Sequence, residues 1–185
     1  ADQAAGVSST VLHSTSFADS TDILSQSAND RREFFTSGHE MFQTDDVLNE
    51  DAKQVIESAP LVHMVTIDPD GRPQISLVWV GLDGDDILVA HQAERRKVFN
   101  LRRDDRVALS MLGGGKDERG LETYLVVHGR ATITPGGAPD LLRPLARKYL
   151  GPDVVFPPGD NPPEGFITRV TVERVVGIGP WGNGS

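Results

Sequence analysis

Apolar residues along this chain repeat with two different periods, and the places where the period changes outline its elements. Ala52, Val55, Ile56 and Ala59 fall on one face of a 3.6-residue repeat behind Asn49, a residue suited to capping, and Pro60 closes that helix. Leu61–Ile67 then reads as a strand, Asp68-Pro69-Asp70-Gly71 as a tight turn, and Arg72–Val80 as a second strand. Gly81-Leu82-Asp83-Gly84-Asp85 is predicted as the next turn, with strands over Asp86–His91 and Arg106–Leu112. Between them, Val98 and Leu101 have helical spacing. Gly113-Gly114-Gly115-Lys116 reads as a loop, and Tyr124–Thr134 as a long strand in which Gly129 marks a bulge or a close backbone approach. Pro139–Leu150 is a helix in which Pro144 is predicted to cause a kink or restart. The stretch from Gly151 to Gly165 holds Pro152, Pro157, Pro158, Pro162 and Pro163 and is irregular. In Phe166–Ile178, apolar Ile167, Val170, Val172 and Val175 are interleaved with polar Arg169, Thr171 and Glu173, the signature of a final strand. Short strands, hairpin turns and few helices predict a mainly β domain, a small antiparallel barrel or sandwich.

The first 44 residues break this picture, being rich in Ser, Thr, Asp and Ala with no steady period. They read as a flexible arm or an appended leader, with Asp30–Phe35 as a short amphipathic helix and Met41 as a candidate start of organised sequence. One domain is expected over residues 45–185 of this 185-residue chain. Cysteine is absent, which excludes disulfides, thiolate metal sites and thiol nucleophiles. No apolar run approaches the roughly 18 residues of a membrane span, and no charged-then-apolar signal opens the chain, so a cytoplasmic location is expected.

Charge sharpens the reading. The formal net charge is -9, yet Arg95, Arg96, Lys97, Arg102, Arg103 and Arg106 make up a third of the 18 Lys and Arg residues. An acidic balance argues against general nucleic-acid binding. A basic knot inside it points to a local anion, and a helix start bearing Arg and Lys after a strand is suited to holding phosphate. A solvated, salt-laced helix accounts for the same charges. The histidines His13, His39, His63, His91 and His128 show no metal-ligand spacing, and the pairs Asp45-Asp46, Asp85-Asp86 and Asp104-Asp105 sit at turns or caps.

Four segments taken together carry a family resemblance: Asp70-Gly71-Arg72-Pro73-Gln74-Ile75-Ser76, Arg95–Asp104, Tyr124–Ala131 and Val172–Gly177. Over roughly Leu48–Trp181 the chain resembles the pyridoxamine-phosphate-oxidase-like flavoproteins. That implies a split β-barrel, an FMN-binding-like antiparallel Greek-key barrel with flanking helices. Arg95, Lys97, Asn100, Leu101, Arg102, Arg103 and Asp104 fit the pattern of the actinobacterial branch that binds coenzyme F420, an 8-hydroxy-5-deazaflavin. Phe99 stands where that branch often has a polar or basic residue. The resemblance implies that Arg95 and Lys97 grip the phosphate of the cofactor tail. It places the cofactor ring along the second and third strands, near Gln74, Ser76, Val78, Val89, Ala90 and His91, with Arg96 and Asn100 in the same pattern as the grip. The residues themselves add Met111, beside glycines that let backbone approach a ring closely, and Tyr124, whose phenol can hydrogen-bond cofactor or substrate; Tyr124 and His91 are the candidate proton donors because their side chains can exchange a proton. The resemblance further implies a homodimer with the cofactor groove between subunits, and hydride transfer to an unsaturated or carbonyl-type small molecule. An FMN-dependent oxidase or reductase, and a non-catalytic carrier of F420 or haem with His63, His91 or His128 as axial ligand, remain alternatives. The end Gly179-Pro180-Trp181-Gly182-Asn183 lacks the Arg and His that the family's true oxidases direct at substrate phosphate, so vitamin B6 oxidation is not expected.

Overall fold

A computed structural model describes residues 47–181. The arm, the Asp30–Phe35 helix, His13, His39 and the Asp45-Asp46 pair lie outside the described residues. Helix α1 (Glu50–Glu57) is capped by Asn49, whose side chain accepts from the Ala52 N–H, and it buries Ala52, Val55 and Ile56. Strands β1 (Val62–Ile67) and β2 (Pro73–Val78) form the first hairpin, and β3 (Gly81–Asp83) and β4 (Asp86–His91) the second. Helix α2 (Arg96–Arg103) follows, then β5 (Arg106–Lys116), β6 (Glu122–Pro135), α3 (Ala138–Leu150) and β7 (Phe166–Ile178).

All strand pairs are antiparallel, in a seven-stranded sheet of order β2-β1-β5-β6-β7-β4-β3. The two edge strands, β2 and β3, are joined in the chain by Trp79 and Val80 alone. That short link bends the ends of the sheet toward each other, while no hydrogen-bonded ladder joins them among the described residues. The result is a barrel with one open seam. Its interior is apolar, with Ile56, Val62, Met64, Val80, Ile87, Val89, Leu109, Leu125, Val127 and Val170 among the buried side chains.

Three sequence expectations are corrected. Gly81-Leu82-Asp83 is a strand rather than a turn; the turn is only Gly84-Asp85, and Arg169 of β7 pairs with both Asp83 and Asp86 across it. The guanidinium offsets two carboxylates that a cross-strand pair sets against each other. Gly113–Gly115 belong to β5, where they bulge between the Leu112–Tyr124 and Lys116–Glu122 pairs and are held by the Thr123 hydroxyl, which donates to the Gly115 carbonyl. Helix α3 runs through Pro144 without a restart.

Gly129 is a close-approach point next to a register shift. The β6–β7 pairing moves from His128–Arg174 to Gly129–Val172, leaving Glu173 as the extra residue. A Cβ at Gly129 would lie 2.3 Å from the Thr171 carbonyl oxygen, so only glycine fits.

Candidate functional site

Helix α2 is fastened to the β1–β2 turn by a buried polar network. Asn100, 2% exposed, donates from Nδ2 to the Asp68 Oδ1 at 2.8 Å and to the Thr66 Oγ1 at 3.0 Å. Arg96 reaches the same carboxylate with both Nε (2.8 Å to Oδ1) and Nη2 (2.7 Å to Oδ2). The Asn100 hydrogen bond, and then the Arg96 and Arg103 charges, hold the Asp68 carboxyl below its ordinary range. Arg103 donates to the Ile67 carbonyl, and Val98 and Leu101 pack inward. The network extends to β2: the Thr66 hydroxyl donates to Gln74 Oε1, and Gln74 Nε2 donates to the Ser76 hydroxyl and the Ile75 carbonyl.

That anchorage aims the first turn of α2 at the barrel seam. A cleft of about 440 Å³ opens there, between the end of β2 (Leu77, Val78) with the linking Trp79 and the end of β4 (Ala90, His91). Gln92, Ala93, Arg95 and Lys97 form its rim, and Leu61, Leu142 and Phe156 complete it. Trp79 makes an aromatic wall, stacked on Tyr149 at 5.3 Å and edge-on to Phe156 at 5.5 Å. Tyr149 is itself fixed, donating to the Pro60 carbonyl and accepting from the Val80 N–H. Among the described residues no carboxylate lines the cleft.

The cationic side is prepared for an anion. Arg95 stands at the helix N-cap with no side-chain capping bond, and its side chain is exposed. Half-burial, and then the nearby Arg95 charge, lower the Lys97 ammonium from its usual range. Two like charges held together without a carboxylate gain most when an anion arrives. His91 is buried, with Nε2 2.8 Å from the Thr168 hydroxyl, and burial followed by the Lys97 charge lowers its pKa to about 4. It is therefore neutral at physiological pH.

The residues expected around a cofactor separate into groups. Arg95, Lys97, Val78, Ala90 and His91 come together at the cleft. Arg96 and Asn100 are engaged by Asp68, and Gln74 and Ser76 by each other and by Thr66, so these four shape the site from behind. Val89 is buried in the core at 1% exposure and presents no side chain to the cleft. Met111 and Tyr124 lie instead on a second, mostly apolar groove with Pro60, His63, Ser110 and Leu112. Leu61 borders both spaces. Asp68, Phe156 and Leu142 were not foreseen. Asp68 reads as an ordinary turn residue, and the other two sit in segments whose placement no local pattern encodes. Among the described residues no cluster of His, Asp and Glu could hold a metal ion, and no helix is long and apolar enough to cross a membrane.

Comparison with known proteins gives these features a context. The profile of the pyridoxamine 5'-phosphate oxidase family matches residues 48–178. A solved structure described as an F420 reductase is 27% identical, with 67% of this chain and 94% of that one covered at a TM-score of 0.56. A conserved hypothetical protein from Mycobacterium tuberculosis is 22% identical over 75% of this chain and 89% of its own, with a TM-score of 0.53. An FMN-binding protein from Syntrophomonas wolfei shares the fold at 13% identity, covering 85% of this chain and 97% of its own with a TM-score of 0.53. No curated protein matches the sequence.

Proposed function

The chain belongs to the pyridoxamine 5'-phosphate oxidase family, and from that premise we propose that it is an F420-dependent oxidoreductase acting on an unsaturated or carbonyl-type small molecule. The observation that carries this reading is the cleft with Arg95 and Lys97 on its rim, an aromatic and aliphatic wall, and no carboxylate among the described residues that line it. The 27% identity to a protein named an F420 reductase supports the same choice.

The donor set suits such a group. A deazaflavin is a flat, partly apolar ring on an anionic tail, and when bound it supplies the hydride chemistry. Arg95 offers a planar fork for phosphate oxygens, and Lys97 offers a compact charge on a flexible stem. Trp79, Leu77 and Phe156 give apolar surface that excludes water from a bound ring. The Asp68–Asn100–Arg96 network fixes the helix carrying Lys97, so the charges are in place before the ligand arrives.

The reading includes a homodimer whose subunits meet beside the cleft. Ile75, Leu77 and Leu112 are 61%, 58% and 66% exposed on one face of the sheet, and Leu61 beside them is 59% exposed. Apolar surface of that extent next to a ligand cleft suits a second subunit.

A thermal-shift screen with F420, FMN, FAD and haem tests the assignment. A clear rise in melting temperature with F420 alone supports it. A larger rise with FMN and a flavin absorbance band in the isolated protein would assign the cleft to FMN. A Soret band lost on replacing His63, His91 or His128 would assign a haem carrier.

A further inference from the structure

One hydroxyl ties together two links that flank the barrel seam. Strand β2 ends at Val78 and β3 begins at Gly81, so Trp79 and Val80 fall outside both ladders. Pro60 and Leu61 lie in the link between α1 and β1. Tyr149, in the last turn of α3, reaches both: its hydroxyl donates to the Pro60 carbonyl at 3.0 Å and accepts from the Val80 N–H at 3.1 Å. Val80 is 0% exposed, so its N–H cannot turn to water instead. The helix is seated on the same spot, with Leu142, Leu145 and Ala146 buried and Leu141 and Leu145 closing on Gly81. The neighbours of the two anchors, Leu61 and Trp79, both line the cleft. Trp79 has one face stacked on the Tyr149 ring, with 18° between the planes, and Phe156 stands edge-on to it. What the indole lends to the cleft is its other face and its edge.

We propose that Tyr149 is a positioning residue for this cleft: its hydroxyl latches the seam, holds Trp79 as a rigid wall, and so makes the cleft selective for ligands that carry a flat ring beside their phosphate. The inference rests on the cleft reading above and adds to it the residue that keeps the ring-binding surface formed before the ligand arrives. Arg95 and Lys97 attract a phosphate whatever it is attached to, because charge attraction is not directional. Discrimination in favour of a ring therefore comes from the apolar side. An indole on an unpaired two-residue link would have to be ordered at each binding event. Tyr149 removes that cost twice, since its ring covers one indole face and its hydroxyl pins the backbone beside it. Phenylalanine keeps the first contribution and lacks the second. Two neutral hydrogen bonds correspond to a ratio of about ten between latched and unlatched populations, and apparent affinity falls with the latched fraction.

The test uses the full chain and two probes, F420 and inorganic pyrophosphate, which share phosphate chemistry but not the ring. In Tyr149→Phe, F420 is expected to bind about tenfold more weakly by fluorescence titration, and pyrophosphate to stay within about twofold of wild type by calorimetry. Trp79→Leu, which removes the wall and leaves the latch, is expected to show the same split. The double variant should lose no more than the larger single loss, because Tyr149 acts through Trp79. An unchanged F420 affinity in Tyr149→Phe, an equal loss for both probes, or additive losses in the double variant overturns the proposal. Hydrogen exchange on the wild type tests the latch without any variant. The Val80 amide is expected to be protected in the free protein and to gain little when F420 is added. An amide that exchanges freely until F420 binds overturns the latch. Pyrophosphate binding that survives Arg95→Ala with Lys97→Ala contradicts the cradle alone. If the wild type binds pyrophosphate but not F420, the ring-binding reading fails and this inference with it.

Discussion

The low proton affinity of His91 makes the stability of the ligand-free protein depend on pH in a calculable way. In the unfolded chain the imidazole titrates near its ordinary value of 6.5, whereas in the fold burial and Lys97 hold it at about 4. Between those values the unfolded state binds a proton that the native state does not. Stability is therefore complete above about 6.5 and is lost as the pH falls toward 4. Each pH unit of that gap corresponds to about 1.4 kcal/mol. The expected loss is about 2 kcal/mol between pH 7.5 and 5, approaching about 3 kcal/mol at pH 4. Asp68, Asp104 and Asp117, whose pKa values are lowered from 3.8, lose their contributions only at more acid pH. His128, also lowered, adds in the same direction as His91, so the comparison must be made against a variant. Urea unfolding of wild type and His91→Gln at pH 7.5 and 5, at fixed protein concentration, is the assay. The wild type is predicted to lose about 2 kcal/mol more than the variant. Equal losses would refute the claim that this ring is buried in its neutral form.

Other perturbations probe the scaffold. Gly165 has a φ of 58°, and a Cβ there would lie 2.1 Å from the His91 carbonyl oxygen and 2.8 Å from the Ala138 Cβ. Gly165→Ala is predicted to cost more than about 2 kcal/mol, read as a drop in the urea midpoint. Asn100→Ala leaves Thr66 and Asp68 short of a donor and is expected to cost about 2 kcal/mol; an unchanged midpoint would show that the network does not hold α2. Ala59 carries a left-handed φ of 61°, so Ala59→Gly should stabilise by up to about 1 kcal/mol, raising the melting temperature by a few degrees. Leu112→Glu with Ile75→Glu should convert a dimer to monomer by light scattering without unfolding it.

Local chemistry was legible in this sequence and remote commitments were not. The Asn49 cap, the Asp68–Gly71 turn and the alternation of Phe166–Ile178 each depend on residues a few positions apart, and each matches the structure. Gly81–Asp83 reads as a turn because a three-residue run of Gly, Leu and Asp carries no measurable period, although strand pairing and Arg169 make it a strand. The Gly113–Gly115 strand segment was hidden because glycine contributes nothing to an apolar pattern. At the site, the basic character of Arg95–Lys97 was visible, but the division of labour among those residues was not. Arg96 differs from its neighbours only in meeting Asp68, a residue 28 positions earlier. Met111 and Tyr124 read as cofactor neighbours from their own chemistry, beside a glycine run and as a phenol, while the fold sets them on the adjoining groove.

The central claim is that Arg95 and Lys97 hold the anionic tail of a deazaflavin. Fluorescence titration of F420 into wild type and the Arg95→Ala, Lys97→Ala double variant tests it directly. Two charge-assisted contacts of about 1.5–3 kcal/mol each predict a loss of affinity well over tenfold, with the fold intact by circular dichroism. An unchanged dissociation constant in the folded double variant would contradict the account.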